Sequence, residues 1–369
     1  MSKSECEQVQ QEYQELKTLK TEFDLEYQKA VETGDLNRAK ELKQELEQKR
    51  DILSSKLWIF ESLPQKELRE QYQSQMDLYK ERGFLETLSS GQEGIKDEKD
   101  NEYPIPDINE VMVKLKSKEL FKEKIETMEN PFILITPFAL SLETMKDSYG
   151  QQIEEHFVEE RIEGDRRIPD KDKTKLFGLD QEPLELRTDK QNIYFSDSLK
   201  TLSYFPEWKE EGNSVKTIGG MTKKEAITQR GGWKISIIEN ISLAPEAGQG
   251  KTIEKEIKIK GKTKKVKRKQ VEGGLNTAKQ YELLKQQNEE GLTPEDWLSL
   301  ALLHLKEKNT VLDDDRKTNY YCRLPGAVTS DVRVPVAFWG RDARRAGLDR
   351  GVPGYSDSDF GVRGAVRVF

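Results

Sequence analysis

Cysteine, histidine and long apolar runs are all scarce in this chain, and each scarcity removes a class of function. Its 369 residues hold two cysteines, Cys6 and Cys322, far apart and in different compositional surroundings. No disulfide framework follows from such a pair, and a reducing compartment is the default. The only histidines, His156 and His304, stand in no His-Glu-x-x-His arrangement, and no ligand spacing joins them to the cysteines, so no zinc site is expected. No stretch approaches 18 consecutive apolar residues, and the polar opening Met1–Gln10 has no apolar run of signal-peptide type. The expectation is a cytoplasmic protein without a membrane span, with signal-less export left open.

Catalytic signatures are missing as well. No Ser or Cys nucleophile has an identifiable base and orienting partner. Ala247–Thr252 (AGQGKT) imitates a phosphate loop, but Pro245 stands where the motif needs glycine, and an alternating basic segment follows instead of a helix. Asp313, Asp314 and Asp315 could offer oxygens to a hard cation, yet three adjacent acids point in different directions, and a polar helix-terminating loop is the better reading. No enzyme and no cofactor are expected.

What is present is charge. The chain is 35% charged and 34% hydrophobic with a net charge of −7, long enough for two or three domains, and much of it must be helical and solvated. Over 3–83, Leu16, Leu19, Phe23, Tyr27, Ala30 and Val31 keep a helical period. Thr33-Gly34-Asp35 breaks it before Ala39, Leu42, Leu46, Ile52 and Leu53 resume it. This predicts a helical hairpin or small bundle over 1–84, able to self-associate, with a solvated spacer as the plain alternative. The Gly-, Ser- and Asp-rich stretch 85–106 reads as a linker.

A single domain is then expected over 107–369. Residues 108–128 read as a basic helix, 131–138 as a buried strand, 141–158 as a helix and 232–238 as a second strand. Segments 160–200 and 251–270 read as insertions. The second has ten Lys or Arg in nineteen positions, 251–269, alternating like an exposed β-hairpin. It could serve a nucleic acid, but no aromatic is interleaved for base stacking, and a solvated insertion stands beside that reading. Helices are expected at 276–289 and 293–308, the second opened by Thr293-Pro294-Glu295-Asp296. Threonine there is an N-cap, proline sits at N1, and the acids complement the helix dipole.

The last 52 residues, 318–369, break with everything before them. They contain no Lys, Glu, Gln or Met and one Trp, Trp339, although those five types make up about a third of the chain. Arg341, Arg344, Arg345 and Arg350 offer planar donors, Asp342, Asp349 and Asp357 offer acceptors, and Phe338, Trp339 and Tyr355 offer flat apolar area. Aromatic and Arg side chains are the usual anchors of interfaces. Glycine and proline at 340, 347, 351, 353 and 354 favour display on loops, with Val362, Val366 and Val368 holding the surface from one face of a closing strand. Phe338, Trp339, Gly340, Arg341, Asp342, Arg344, Arg345, Asp349, Arg350, Tyr355 and Asp357 are therefore the candidate ligand-binding residues.

The tail VPVAFWGRDARRAGLDRGVPGYSDSDFGVRGAVRVF resembles the C-terminal end of C-type-lectin-fold proteins. The likeness is to the branch shared by formylglycine-generating-type domains and the variable proteins of diversity-generating retroelements, and the strands and helices from 130 onward follow the same order. It implies an α+β, C-type-lectin-like domain with a mixed antiparallel sheet and two main helices. Within the branch the variable proteins are the more similar. In that family an RNA template is copied with errors at adenines, and AAC-type codons become any codon ending in C. Such codons cannot specify Lys, Glu, Gln, Met or Trp, and 340–360 hold none of them. The resemblance implies a non-enzymatic display protein with a candidate variable region at 338–360 and a macromolecular ligand, protein before nucleic acid. A scaffolding protein whose tail is a plain stable lobe remains the alternative. Catalytic relatives need cysteine or metal chemistry, and Cys322 has no partner thiol.

Overall fold

The structure, a computed structural model, describes residues 65–369 except 118, 171–172, 213, 260–261, 316–320 and 369, together with residues 21, 26, 29 and 38. The helical hairpin expected over 1–84, and the self-association assigned to it, lie outside these residues apart from its last arm. That arm is α1 (Gln65–Glu81).

The elements that follow are β1 (Glu86–Thr87), β2 (Glu93–Lys96), β3 (Glu102–Pro104), α2 (Ile108–Ser117), α3 (Glu119–Thr127), β4 (Pro131–Thr136) and α4 (Leu142–His156). Next come β5 (Glu160–Glu163), β6 (Arg166–Pro169), β7 (Leu186–Arg187), β8 (Ile193–Phe195), β9 (Leu202–Tyr204), β10 (Glu207–Glu211), β11 (Ser214–Ile218), α5 (Lys223–Arg230) and β12 (Lys234–Glu239). The hairpin β13 (Thr252–Ile259) and β14 (Lys262–Lys269) leads to α6 (Thr277–Gln286), β15 (Glu290–Gly291) and α7 (Pro294–Lys308). The tail supplies β16 (Asp314–Asp315), β17 (Tyr321–Arg323), β18 (Ala327–Thr329), β19 (Val334–Gly340), β20 (Arg345–Gly351), β21 (Phe360–Val362) and β22 (Gly364–Arg367). The fold is mixed α+β, with seven α-helices among the described residues and largely antiparallel sheets. No described helix is long and apolar enough to cross a membrane.

The chain divides into two compact units, so a single 107–369 domain is not what forms. One unit takes 1–70, 107–126 and 254–266. Its buried side chains include Val111, Leu115, Phe121 and Ile125 from α2 and α3, and Ile257 and Val266 from the hairpin. Within it Lys264 pairs with Glu123, Lys255 reaches Glu126 at 3.4 Å, and the Lys122 ammonium donates to the Lys258 carbonyl. The lysines that read as a free basic surface are in part neutralised by the glutamates of α3.

The second unit takes 71–106, 127–253 and 267–369. The segment read as linker, 85–106, is ordered within it as the antiparallel sheet β1-β2-β3. Its polar residues are turn residues: the Asp97 carboxylate accepts from the backbone N–H groups of Lys99 and Asn101, both at 2.9 Å, while Ile95 is fully buried.

The core sheet has the order β15-β22-β12-β4, every pair antiparallel. Its edge strand β4 is closed by α1: Gln75 donates to the Ile133 carbonyl and accepts from the Ile135 N–H, both at 2.8 Å, and Tyr79 donates to the Ile135 carbonyl. Helix spacing makes this possible, because residues four apart share one face.

Helices α4 and α7 pack on each other, with Tyr149 edge-on to Trp297 at 5.9 Å and Gln152 donating to the Leu302 carbonyl. Thr293 caps α7, Pro294 sits in the first turn, and Asp296 completes a capping box. Every residue from Pro294 to Leu305 is buried, and each large apolar side chain among them contributes about 1.5–3 kcal/mol. Asp296 also accepts from Lys234 at 2.6 Å and from the Thr136 hydroxyl at 2.8 Å, which ties the helix start to the sheet.

The second large sheet runs β21-β17-β19-β20-β8, with β16 parallel to β19. The stretch read as display loops is largely strand. Val334 to Gly340 pair with Gly351 to Arg345, and only the turn 341–344 and residues 352–359 lie outside strands. The closing strand is also two strands, β21 in this sheet and β22 in the core sheet, so Val362 and Val366 belong to different sheets. Arg363 stands between them, drawn inward by a buried carboxylate. Residues 160–200 are not a plain insertion either: β5, β6 and β7 form a small sheet, and β8 is the edge of the large one.

Candidate functional site

The six-stranded sheet has one sealed face and one half-open face. On the sealed face Cys322, Ala337, Trp339, Ala346 and Leu348 are all 1% exposed or less. The strand alternation of β19 then places Phe338 on the other side. Register sets one residue from each strand in a row across that side. Phe360 pairs with Tyr321, the Tyr321 ring meets Phe338, Phe338 pairs with Gly347, and Gly347 pairs with Tyr194.

The row is held ring to ring. Tyr321 stacks on Phe360 at 4.9 Å and meets Phe338 edge-on at 4.8 Å. Gly347 is glycine for packing: an added Cβ would lie 2.4 Å from Cζ of Phe338, whose ring covers it. Phe338, Tyr321 and Phe360 are half-buried, and Tyr194 is 36% exposed. Arg345 lies over the Tyr194 ring at 5.0 Å, its guanidinium held below its ordinary pKa by burial. Toward Val334 and Val336 the same face is covered by Trp208, Val215, Ala278 and Val328.

The eleven candidates divide on this frame. Phe338, Arg345 and Asp349 alternate onto the half-open face, Asp349 accepting from the Arg350 backbone N–H at 2.8 Å. Asp342, Tyr355 and Asp357 are exposed, Tyr355 at 55%. Arg350 is exposed and pairs with Asp331. Arg344 occupies the turn with a positive φ of 54° and pairs with Asp165 at 2.8 Å, which lowers the Asp165 pKa.

The remaining three are frame, a correction to the display reading. Trp339 is buried in the sealed face, and Gly340 is buried with it. Arg341 makes a two-point bond to the buried Asp314 at 2.8 and 2.6 Å and a further one to Asp180 at 2.8 Å. Those bonds, Asp314 first, raise its pKa and fix the guanidinium.

Asp313 and Asp314, in the acidic run read as a polar loop, are likewise internal. Arg363 makes a two-point bond to Asp313 at 2.6 and 2.7 Å with both side chains fully buried, and the Trp297 indole N–H donates to the same carboxylate at 2.8 Å. Arg363 also reaches the Cys322 sulfur at 3.2 Å, and burial pushes that thiol up to about 12. Cys322 is an inert core residue at neutral pH. Among the described residues no three His, Cys, Asp or Glu side chains gather as a metal cage would require.

Sequence reasoning missed Tyr194, Tyr321 and Phe360 as members of the face, and Arg323 as its support. Arg323 lies 4.6 Å over the Phe360 ring and donates to the carbonyls of Leu275 and Tyr355 and to Gln280. Burial lowers its pKa to about 10. The Tyr194-Phe195 pair was a visible signal, but its neighbours across the sheet were not. Compared with protein-family models, curated proteins and solved structures, the chain matches none.

Proposed function

We propose that this chain is a non-enzymatic binding protein of the C-type-lectin-like kind, diversified by a retroelement, with the half-open face of the six-stranded sheet as its ligand-binding surface. The observation that carries the reading is the row of rings Phe360, Tyr321, Phe338 and Tyr194, flanked by Arg345 and Asp349 on a sheet whose other face is sealed. A surface of rigid aromatic anchors beside a planar cation suits a protein ligand, because few ordered side chains supply most of the affinity. The lectin-like assignment draws support from the packing of α4 on α7 beside a sheet that includes the C-terminal strand β22. The basic hairpin offers a nucleic acid less, since Lys255 and Lys264 already have acidic partners.

Sequencing the DNA around the gene tests it. A reverse transcriptase gene is expected beside a near-copy of codons 338–368 that differs mainly at adenines. The differing codons should be those of Asp342, Arg344, Arg345, Asp349, Arg350, Tyr355 and Asp357, which are exposed or half-exposed. Codons for Trp339, Leu348 and Arg363 should match, because substitution there opens the core or strands a buried charge. A locus without such a copy, or differences concentrated in the frame codons, would sink the reading.

A further inference from the structure

We propose that the outer edge of β8 takes up an extended peptide as an added strand, in the groove between that edge and α4, with an acidic residue of the peptide pairing with Arg345. Tyr194 and Arg345 belong to the ring-row face. The inference therefore deepens the reading above by naming the class of ligand, and it rests on that account of the surface while needing no retroelement.

The backbone carries the argument. In the parallel pair of β8 with β20, the Ala346 N–H donates to the Asn192 carbonyl and the Ser196 N–H to the Leu348 carbonyl, both at 3.0 Å. Backbone groups alternate sides along a strand, so Asn192, Tyr194 and Ser196 face β20 while the N–H and C=O groups of Ile193 and Phe195 face outward. Among the described residues no hydrogen bond is made to these outward groups. The edge of β4, by contrast, is met by Gln75 and Tyr79. A strand edge left open is a template for a further strand, and main-chain bonds of this kind recognise an extended peptide.

The space lies where that strand would go. A groove of about 720 Å³ is lined by Ile193, Tyr194 and Phe195 and by Asp147, Gly150, Gln151 and Glu154 of α4. Ile193 and Phe195 project to the same side of the sheet as their register partners Ala346 and Leu348, and Tyr194 projects to the other. A space lined by all three runs beside the strand instead of over one face. The four helix residues, at steps of three, one and three, form a single stripe and make the opposite wall.

Charge selects the peptide. The ionic groups on the lining have partners already: Lys146 pairs with Glu143 and with Asp147 at 3.1 Å, Lys190 lies 3.7 Å from Glu154, and Glu154 bonds to Arg167 at 2.7 Å. Arg345, over the Tyr194 ring at the rim, has only a hydrogen bond to Gln191 at 3.4 Å, while its neighbours Arg187 and Asp189 pair with each other at 2.8 Å. Among the described residues Arg345 has no carboxylate partner. A strand added at the usual spacing of about 4.8 Å sets one side chain beside Tyr194, on the face that holds the guanidinium, and its two neighbours beside Ile193 and Phe195. The ligand is thus an extended segment with an acid between two apolar residues.

Panning a displayed library of random linear heptapeptides on the full chain, followed by calorimetric titration of one enriched peptide, tests this. Enriched peptides should carry Asp or Glu between apolar residues. N-methylation along the peptide leaves the protein untouched, and it should weaken binding by about tenfold at alternate positions and little between them, because only every second residue of an added strand bonds to its neighbour. Arg345→Gln should weaken the peptide by about threefold to fivefold, and should cost nothing once the peptide's acid is replaced by its amide. No enrichment, a methylation profile without alternation, or an Arg345→Gln loss that persists with the neutral peptide each overturns the inference. Dimerisation that shuts the peptide out would make a second copy the occupant and overturn it as well. None of these outcomes bears on the DNA beside the gene, whose lack of a diversified copy would sink the reading above and not this one.

Discussion

At the scale of single residues, arginine has two roles here that composition cannot separate. Arg363 and Arg350 stand 13 positions apart in a tail rich in both Arg and Asp, and each has a carboxylate partner. The first pair is fully buried and the second is 45% and 41% exposed. A buried carboxylate that loses its partner cannot recover solvation, whereas an exposed one exchanges a partner for water. Asp313→Ala should therefore destabilise the fold by about 3–5 kcal/mol, because Arg363 is left charged and enclosed. Asp331→Ala should cost under about 1 kcal/mol. Urea unfolding of the two variants decides it, and equal costs would remove the case for Arg363 as frame.

At the scale of elements, the edge strand β4 has outward backbone groups that are met by side chains of α1. An uncovered edge is a template for pairing with another chain. Gln75→Ala leaves the Ile133 carbonyl and the Ile135 N–H without their partners. The expected cost is about 2–6 kcal/mol, from roughly 1–3 kcal/mol for each of the two buried groups left unmade. Light scattering should show a rise in association alongside the loss in urea unfolding, and an unchanged scattering profile would mean that the helix does not guard the edge. The same element shows which signals the sequence carries. The α7 start was legible because Thr293, Pro294 and Asp296 act within one turn. Strand identity at 131–136 was legible from its apolar run. The glutamines covering that strand were not, since Gln75 and Ile133 are 58 residues apart and glutamine on a helix reads as solvated. At the candidate site, the aromatic and arginine residues were visible, but their division into face and frame was not. That division depends on pairings 27 and 50 residues apart, Arg341 with Asp314 and Arg363 with Asp313. Glycines read as loop formers at 347 and 351 are strand residues, and at 347 the absent side chain makes room for a ring.

At the scale of the whole molecule, stability must respond to pH through its two histidines. His304 is 2% exposed in the packed α7, its Nε2 paired with the Thr310 hydroxyl at 2.9 Å, and burial depresses its pKa to about 3. His156 shifts in the same direction, also through burial. An unfolded histidine takes up its proton near pH 6.5, so between that value and about 3 the unfolded chain binds a proton that native His304 refuses. Stability therefore rises with pH across this window and is lost as the solution is acidified. At about 1.4 kcal/mol per pH unit below 6.5, acidification from pH 7.5 to pH 5 should remove about 2 kcal/mol through His304. Most carboxylates stay ionised above pH 5, so they add little to that interval. Urea unfolding of the natural chain and of His304→Gln at both pH values isolates the effect, because the variant's own packing loss is common to the two. The fall between pH 7.5 and 5 should be smaller in the variant by about 2 kcal/mol. Parallel falls would mean that His304 takes up its proton in the native state near the ordinary pH, and that the α7 core admits the charge.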